Sequence, residues 1–313
     1  MLLRKLILYA DIDDEYMNAE DKANSPSMTI EEKKKIWADT LSKMPEYPTV
    51  LDNLNGTGTN KTIFAEASVY PNNGNMGPVP RSAAGYDIAH NAAIYPSQNI
   101  GVYLTSEKML EVARNNQAAF NEASKFAPMN GFCLNIPATA RVARPNTDDG
   151  ENLLSAWTLA LQKHIVGSGW PSLGGGGLEN IGGIDGVHIL LVQSHEGFVS
   201  FFPSYGNGGG EGGSFEGLRV AGGFLVSGEV DGEGVVGGLK VRLEGVVGER
   251  RLFRFLNPFG ESGKMGVELR VIESKQRVSG LKEKAEKNED GGEVSVLEVE
   301  LVAGVNYEVV HVR

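Results

Sequence analysis

GGGGLENIGG (Gly174–Gly183), running straight into IDGVHILLVQSHEG (Ile184–Gly197), is where the chain changes character. A glycine run ahead of an apolar helix has three readings. A phosphate loop needs a buried strand before it, and a lysine with a Ser or Thr at the helix start. Here a helix and loop come first, and Ile181–Ile184 holds neither lysine nor hydroxyl. A plain linker does not suit the strongly apolar segment that follows. The third reading is a loop at a functional rim. Glycines on both sides then allow the tight turn that presents Glu179 and Asn180, although Asn180 can equally satisfy loop backbone groups.

Upstream of the run, the pattern is helical. TIEEKKKIWADTLSKM opens with Thr29 and, three residues on, Glu32, which is a capping box. Ile30, Trp37 and Leu41 form its apolar stripe, and Pro45 and Pro48 end it. LNGTGTNKT and YPNNGNMGPVPRS read as loops, rich in Gly, Asn and Pro. A second helix is expected from Thr105 or Ser106 through EKMLEVARNNQAAFNEASKF. A third is expected from Pro137, a favoured first-turn residue, over PATARVAR. A fourth covers DGENLLSAWTLALQKHIV, and a fifth GIDGVHILLVQS.

Downstream of His195 the period changes. GFVSFFPSY, LRVAGGFLVSGEV, GLKVRLEGVV, RLFRFLNPF, GVELRVIES, VSVLEVELVAG and NYEVVHVR are short, β-branched and often alternating. Gly-rich or polar turns separate them, the pattern of an antiparallel sandwich. SKQRVSGLKEKAEKNEDGGE reads as a solvated loop or short exposed helix between two strands. The helix-to-strand boundary is expected between Ser194 and Gly197.

The chain has 313 residues, 41% hydrophobic and 22% charged, as an ordinary globular protein does. A net charge of -11 argues against a nucleic-acid binder. No apolar run is long enough to span a membrane as a helix. MLLRKLILYADIDDEY resembles a leader in its basic start. Asp11, Asp13 and Asp14 arrive too soon, however, and no small-residue cleavage site follows, so an amphipathic helix is expected. A chain beginning in a packed helix suggests the tail of a longer protein. The single cysteine, Cys133, excludes an internal disulfide and a multi-cysteine metal site, and reads as a buried thiol. Asn55 and Asn60 stand in glycosylation acceptor patterns, which matter only in a secreted chain. No metal site or cofactor is expected.

LENIGGIDGVHILLVQSHEG resembles the loop and final barrel helix of glycoside hydrolase family 95, the inverting α-L-fucosidases and α-L-galactosidases. Leu178-Glu179-Asn180-Ile181-Gly182-Gly183 is similar to that family's Asp-Gly-Asn-Phe-Gly-Gly, and Leu191-Val192-Gln193-Ser194-His195 to its Leu-Leu-Gln-Ser-His. The resemblance continues in FVSFFPSY, in GSFEGLRVAGGFLVSGEV and, upstream, in AHNAAIYPSQNIG, and covers about Phe64 to Pro258. It implies an α+β multidomain chain. Residues 1–195 would be the C-terminal portion of an (α/α)6 barrel, and 196–313 an antiparallel β-sandwich. It also implies hydrolysis of a terminal α-L-fucosyl or related sugar, a carbohydrate partner, a missing N-terminal barrel half, and a secretory or extracellular setting for the parent enzyme.

Departures from the family pattern bear on whether the chain is an enzyme. Leu178 stands where the family's water-activating Asp would be and can neither accept a proton nor orient water. Glu179, one residue on, is the catalytic candidate. The family's sugar-contacting Arg-His pair reads Tyr86 and Asp87 here. Asp87 suits a sugar hydroxyl or a turn cap, and His90 the barrel mouth or a packed core. With Asn180, these are the substrate-binding candidates. His195 and Glu196 are read as a helix end, where a histidine complements the dipole. Trp170 and Tyr95 suit sugar stacking or packing. An inverting hydrolase needs an acid and a base across the scissile bond, and the general-acid segment is expected upstream of Met1. A non-catalytic carbohydrate-binding or structural remnant is therefore the alternative.

Overall fold

The computed structural model describes residues 29–44, 46–52, 60–65, 67–72, 75–79, 91–124, 132–144, 149–164, 178–203, 212–231, 234–235, 238–259 and 266–312. The chain divides into two compact units, Met1–Tyr47 and Pro48–Arg313. In the first, α1 (Ile30–Ser42) begins at the expected capping box. Thr29 caps Glu32, whose carboxylate accepts from the Thr29 amide at 2.7 Å. The amphipathic helix expected at the chain start lies outside the described residues.

The second unit mixes helices with antiparallel sheets, an α+β class. It opens with two hairpins, the second of which stands where the loop YPNNGNMGPVPRS is expected from the sequence. β1 (Thr49–Asp52) pairs with β2 (Lys61–Phe64), and β3 (Ala67–Asn72) with β4 (Asn75–Val79). In the first hairpin the buried Ile63 and Phe64 anchor an otherwise polar ribbon. The sequence between β3 and β4 is Asn73-Gly74, the strongest short hairpin signal.

Helix α2 (Glu107–Ser124) follows, then α3 (Phe132–Val142), α4 (Asp149–His164) and α5 (Leu178–Leu191). Two starts differ from expectation. Pro137 lies inside α3, not in its first turn. Asn135, Ile136, Pro137 and Ala138 are all buried, so tertiary packing outweighs the cost of a proline in the helix interior. The helix expected from Gly183 begins five residues earlier, at Leu178, so Glu179 and Asn180 occupy a first helical turn.

Contacts fix the directions of these helices. Arg114 donates to the Val142 carbonyl at 3.0 Å and Thr139 to Gln117 at 3.0 Å, so α2 and α3 run antiparallel. Gly186 packs on Ile136, and Gln193, just past α5, donates to the Ala140 carbonyl at 3.5 Å. The contacts advance together along both helices, so α3 and α5 run parallel. Gly186 permits this approach, because a Cβ there would overlap Ile136 Cγ2. A helix-interior glycine costs about 1 kcal/mol against alanine, offset here by the close packing.

After β5 (Val192–Gln193) and β6 (Ser200–Phe201), a six-stranded sheet comprises β7 (Gly213–Val220), β8 (Phe224–Asp231), β9 (Gly234–Val235), β10 (Leu239–Leu243), β12 (Val267–Val271) and β15 (Asn306–His311). Its order is β12-β15-β10-β8-β7, with β9 on β8. β11 (Arg250–Phe255), β13 (Lys282–Lys287) and β14 (Glu293–Val302) form a second sheet in the order β11-β14-β13. One apolar core joins both sheets: Leu239, Leu243, Leu269 and Val309 from the larger, and Phe253, Phe255, Leu297 and Leu301 from the smaller. The alternation is clean in β10, where Leu239, Val241 and Leu243 are buried while Lys240 and Arg242 face solvent.

β13 corrects the reading of KEKAEK as loop or helix. Its six residues pair in register with β14, from Lys282 on Glu298 to Lys287 on Glu293. As an edge strand it has little apolar content to betray it, and its lysines discourage pairing with another chain. Arg254 binds Glu286 and Glu298 beneath it.

The turn after β13 reaches the helices. Glu289 donates its amide to the Leu104 carbonyl at 2.9 Å, and its carboxylate accepts from the Ser106 amide at 3.1 Å. Asp290 accepts from the Glu107 amide at 2.8 Å. Two carboxylates thus cap the N-terminus of α2, where the dipole favours negative charge. Replacing both Glu289 and Asp290 with alanine is expected to destabilise the unit by about 1–3 kcal/mol, as lost caps do. Urea denaturation followed by circular dichroism checks this, and high salt should shrink the difference between wild type and variant.

Candidate functional site

The segment between the helices and the sheets carries the densest buried polar chemistry among the described residues. It begins where α5 ends at Leu191. His195 is not in the last helical turn, as expected, but four residues beyond it, buried, with Nε2 at 3.2 Å from the Ile100 carbonyl. Its position is set by this bond and not by the helix dipole. Glu196 turns under the loop at 101–104. Its carboxylate accepts from the amides of Leu104 at 2.6 Å and Tyr103 at 3.2 Å. Tyr103 in turn shares a 3.0 Å hydrogen bond with Ser200.

Desolvation pushes the Glu196 carboxyl up to about 7, against the opposing pull of the Leu104 and Tyr103 amides and the Arg141 charge. The Tyr103 phenol is pushed up to about 12, chiefly by burial. Gly101 is required for this geometry. A Cβ there would overlap the Glu196 carboxyl carbon and stand 2.6 Å from His195 Nε2.

A neutral amide network lies deeper in the helices. Asn91 is fully buried and its Oδ1 accepts from Gln117 at 2.7 Å and from Asn116 at 2.5 Å. Thr139 donates to Gln117 and to the Asn135 carbonyl. Asn91 Nδ2, Asn116 Oδ1 and Gln193 Oε1 are buried and without a partner among the described residues. Exchanging the O and N assignments of the three amides leaves Asn91 and Asn116 each with one unspent group.

A mixed-charge cluster links α3 to α5 through Tyr95. The Tyr95 hydroxyl bonds Asp185. The Arg141 guanidinium lies 5.0 Å over the Tyr95 ring, and its Nη1 donates to the Ile94 carbonyl at 2.8 Å. His188 sits one turn beyond Asp185 on α5, and burial lowers its pKa, with Asp185 opposing.

Of the residues expected to form a sugar site, Glu179 and Asn180 are placed by their backbone alone, in the first turn of α5. Tyr86, Asp87, His90 and Trp170 lie outside the described residues. Tyr95 belongs to the mixed-charge cluster. Glu196, Arg141 and Asp185 were not singled out from the sequence as site residues. Asp185 had one available signal: it shares a helical face with His188 three residues on and with Leu178 two turns before. The partners of Glu196 lie over ninety residues away and leave no mark nearby.

No family model and no curated protein matches the chain.

Because Glu196 is more basic in the folded state than its ordinary 4.5, the folded protein holds a proton that the unfolded chain has released. Stability from this group is therefore greatest below about pH 4.5 and is lost as pH rises to about 7. The urea midpoint is expected to fall over that window by the equivalent of about 1–3 kcal/mol, and Glu196→Gln is expected to remove this component. Gly101→Ala is expected to destabilise by about 1–3 kcal/mol through overpacking, measured in the same titration.

Proposed function

We propose that the chain is the closing part of a family 95-type glycoside hydrolase, acting by inversion on a terminal α-L-fucosyl or related sugar. In this reading residues 1–195 belong to an (α/α)6 barrel and 196–313 form a β-sandwich. The observation that carries it is the helix arrangement. α3 and α5 run parallel with α4 leading from one to the other, while α2 opposes α3. Such alternation is what a barrel of helical hairpins requires. Two antiparallel sheets on one core suit the sandwich.

Glu179 is the catalytic residue of this proposal, as the base that activates water from the first turn of α5. Asn180, with Tyr86, Asp87 and His90, would hold the sugar. Neutral amides with unspent hydrogen-bonding groups, such as Asn91 and Asn116, suit a neutral polyhydroxylated ligand better than a charged one.

A second reading, a non-catalytic carbohydrate-binding or structural remnant, is favoured by a specific observation. The carboxylates near the seam are already committed: Glu196 to two backbone amides and Asp185 to Tyr95. Leu178 supplies none.

Hydrolysis of chromogenic α-L-fucoside and α-L-galactoside separates the two readings. The enzymatic reading expects turnover by the wild-type chain and a loss of at least about 100-fold in Glu179→Gln. No turnover by a wild-type chain with a native circular dichroism spectrum selects the remnant.

A further inference from the structure

Arg141 is a buried cation with little to hold. Its side chain belongs to a residue only 3% exposed. Among the described residues it has no carboxylate at ion-pairing distance, and of its three guanidinium nitrogens only Nη1 has an acceptor. Nε is buried with no acceptor. The edge formed by Nε and Nη2, the side-on fork that arginine uses for bidentate recognition, is therefore unspent. Burying Nε without an acceptor is costly, and proteins retain the cost chiefly where function needs it.

We propose that Arg141, Tyr95, Asp185 and His188 form a binding site for two adjacent hydroxyl groups of a neutral sugar. The fork of Arg141 donates to the hydroxyl oxygens. The Asp185 oxygen not bonded to Tyr95 accepts a hydroxyl proton in return. Donor and acceptor side by side are what a vicinal diol needs, since each hydroxyl both accepts and donates. Tyr95 holds both groups in place, with its ring under the guanidinium and its hydroxyl on Asp185. His188, half-buried one turn along α5 and with no hydrogen bond among the described residues, adds a further polar edge.

Charge selects the ligand class. Burial lowers the Arg141 pKa to about 10, and the Asp185 carboxylate opposes that lowering most strongly. An anionic ligand would meet Asp185 at once, whereas a neutral one leaves the balance intact. The site is distinct from the first turn of α5: Asp185 lies two turns beyond Leu178 on the same face. It rests on the carbohydrate reading above only for the choice of probe.

The test is titration of the purified chain with L-fucose, read by calorimetry and by the His188 C2 proton resonance, which His188→Gln assigns. The wild type is expected to bind saturably with millimolar affinity. Asp185→Asn is expected to weaken binding at least about tenfold. Should Asp185→Asn fail to fold, His188→Gln is expected to weaken binding at least about threefold. Unaltered affinity in the folded variant, tighter binding of D-glucuronate than of L-fucose, or no saturable binding overturns the proposal. Saturable, Asp185-dependent binding without hydrolysis supports this site and defeats the enzymatic reading. Hydrolysis with binding indifferent to Asp185 overturns this site and leaves that reading standing.

Discussion

The second unit depends on one buried contact: the Glu196 carboxylate beneath the amides of Tyr103 and Leu104. A carboxyl group taken from water is costly unless hydrogen bonds replace the lost hydration. Two backbone amides do so here, and the group's raised proton affinity records what they leave uncompensated. The contact has structural consequences on both sides. Glu196 is followed by Gly197, whose carbonyl accepts from the buried Arg254, and by Val199, which bonds into β11. Leu104 leads directly into α2, whose first turn is capped by the acidic β13–β14 turn. Helices and sheets therefore meet through backbone amides and carboxylates as well as apolar surface. Gly101 is the steric condition for that meeting.

Around this contact the helices leave polar capacity unspent. Arg141, Asn91 and Asn116 each keep a buried group without a partner among the described residues. A core built only for stability would have exchanged these for apolar side chains at little cost. The absence of an unengaged acid–base pair among the described carboxylates near the seam keeps binding and catalysis as separate questions.

Much of this fold was legible in the sequence. The capping box at Thr29 and Glu32 is local, and the structure realises it. The Ser106 start of α2 is equally local, with the Met109 amide 3.4 Å from the serine hydroxyl. The strands after His195 announced themselves by alternation, as in β10. What escaped was fixed by distant partners. β13 is nearly all charged and becomes a strand only because β14 offers a ladder. Pro137 marks a helix start by local rules but sits in the helix interior, held by burial. The glycines before Ile184 suggested a loop, yet Gly182 and Gly183 are inside α5. The site was less legible than the fold. Glu196 and Arg141 owe their character to residues about fifty to ninety positions away, and no local pattern encodes such pairings.

Native-state amide hydrogen exchange at Tyr103 and Leu104 tests the central claim most directly, that the Glu196 contact joins helices to sheets as one cooperative body. The account predicts that both amides exchange only through global unfolding, with protection matching that of β14 and of the interior of α2. Fast exchange at Tyr103 and Leu104 while β14 remains protected would contradict it, because the loop would then open without the rest of the unit.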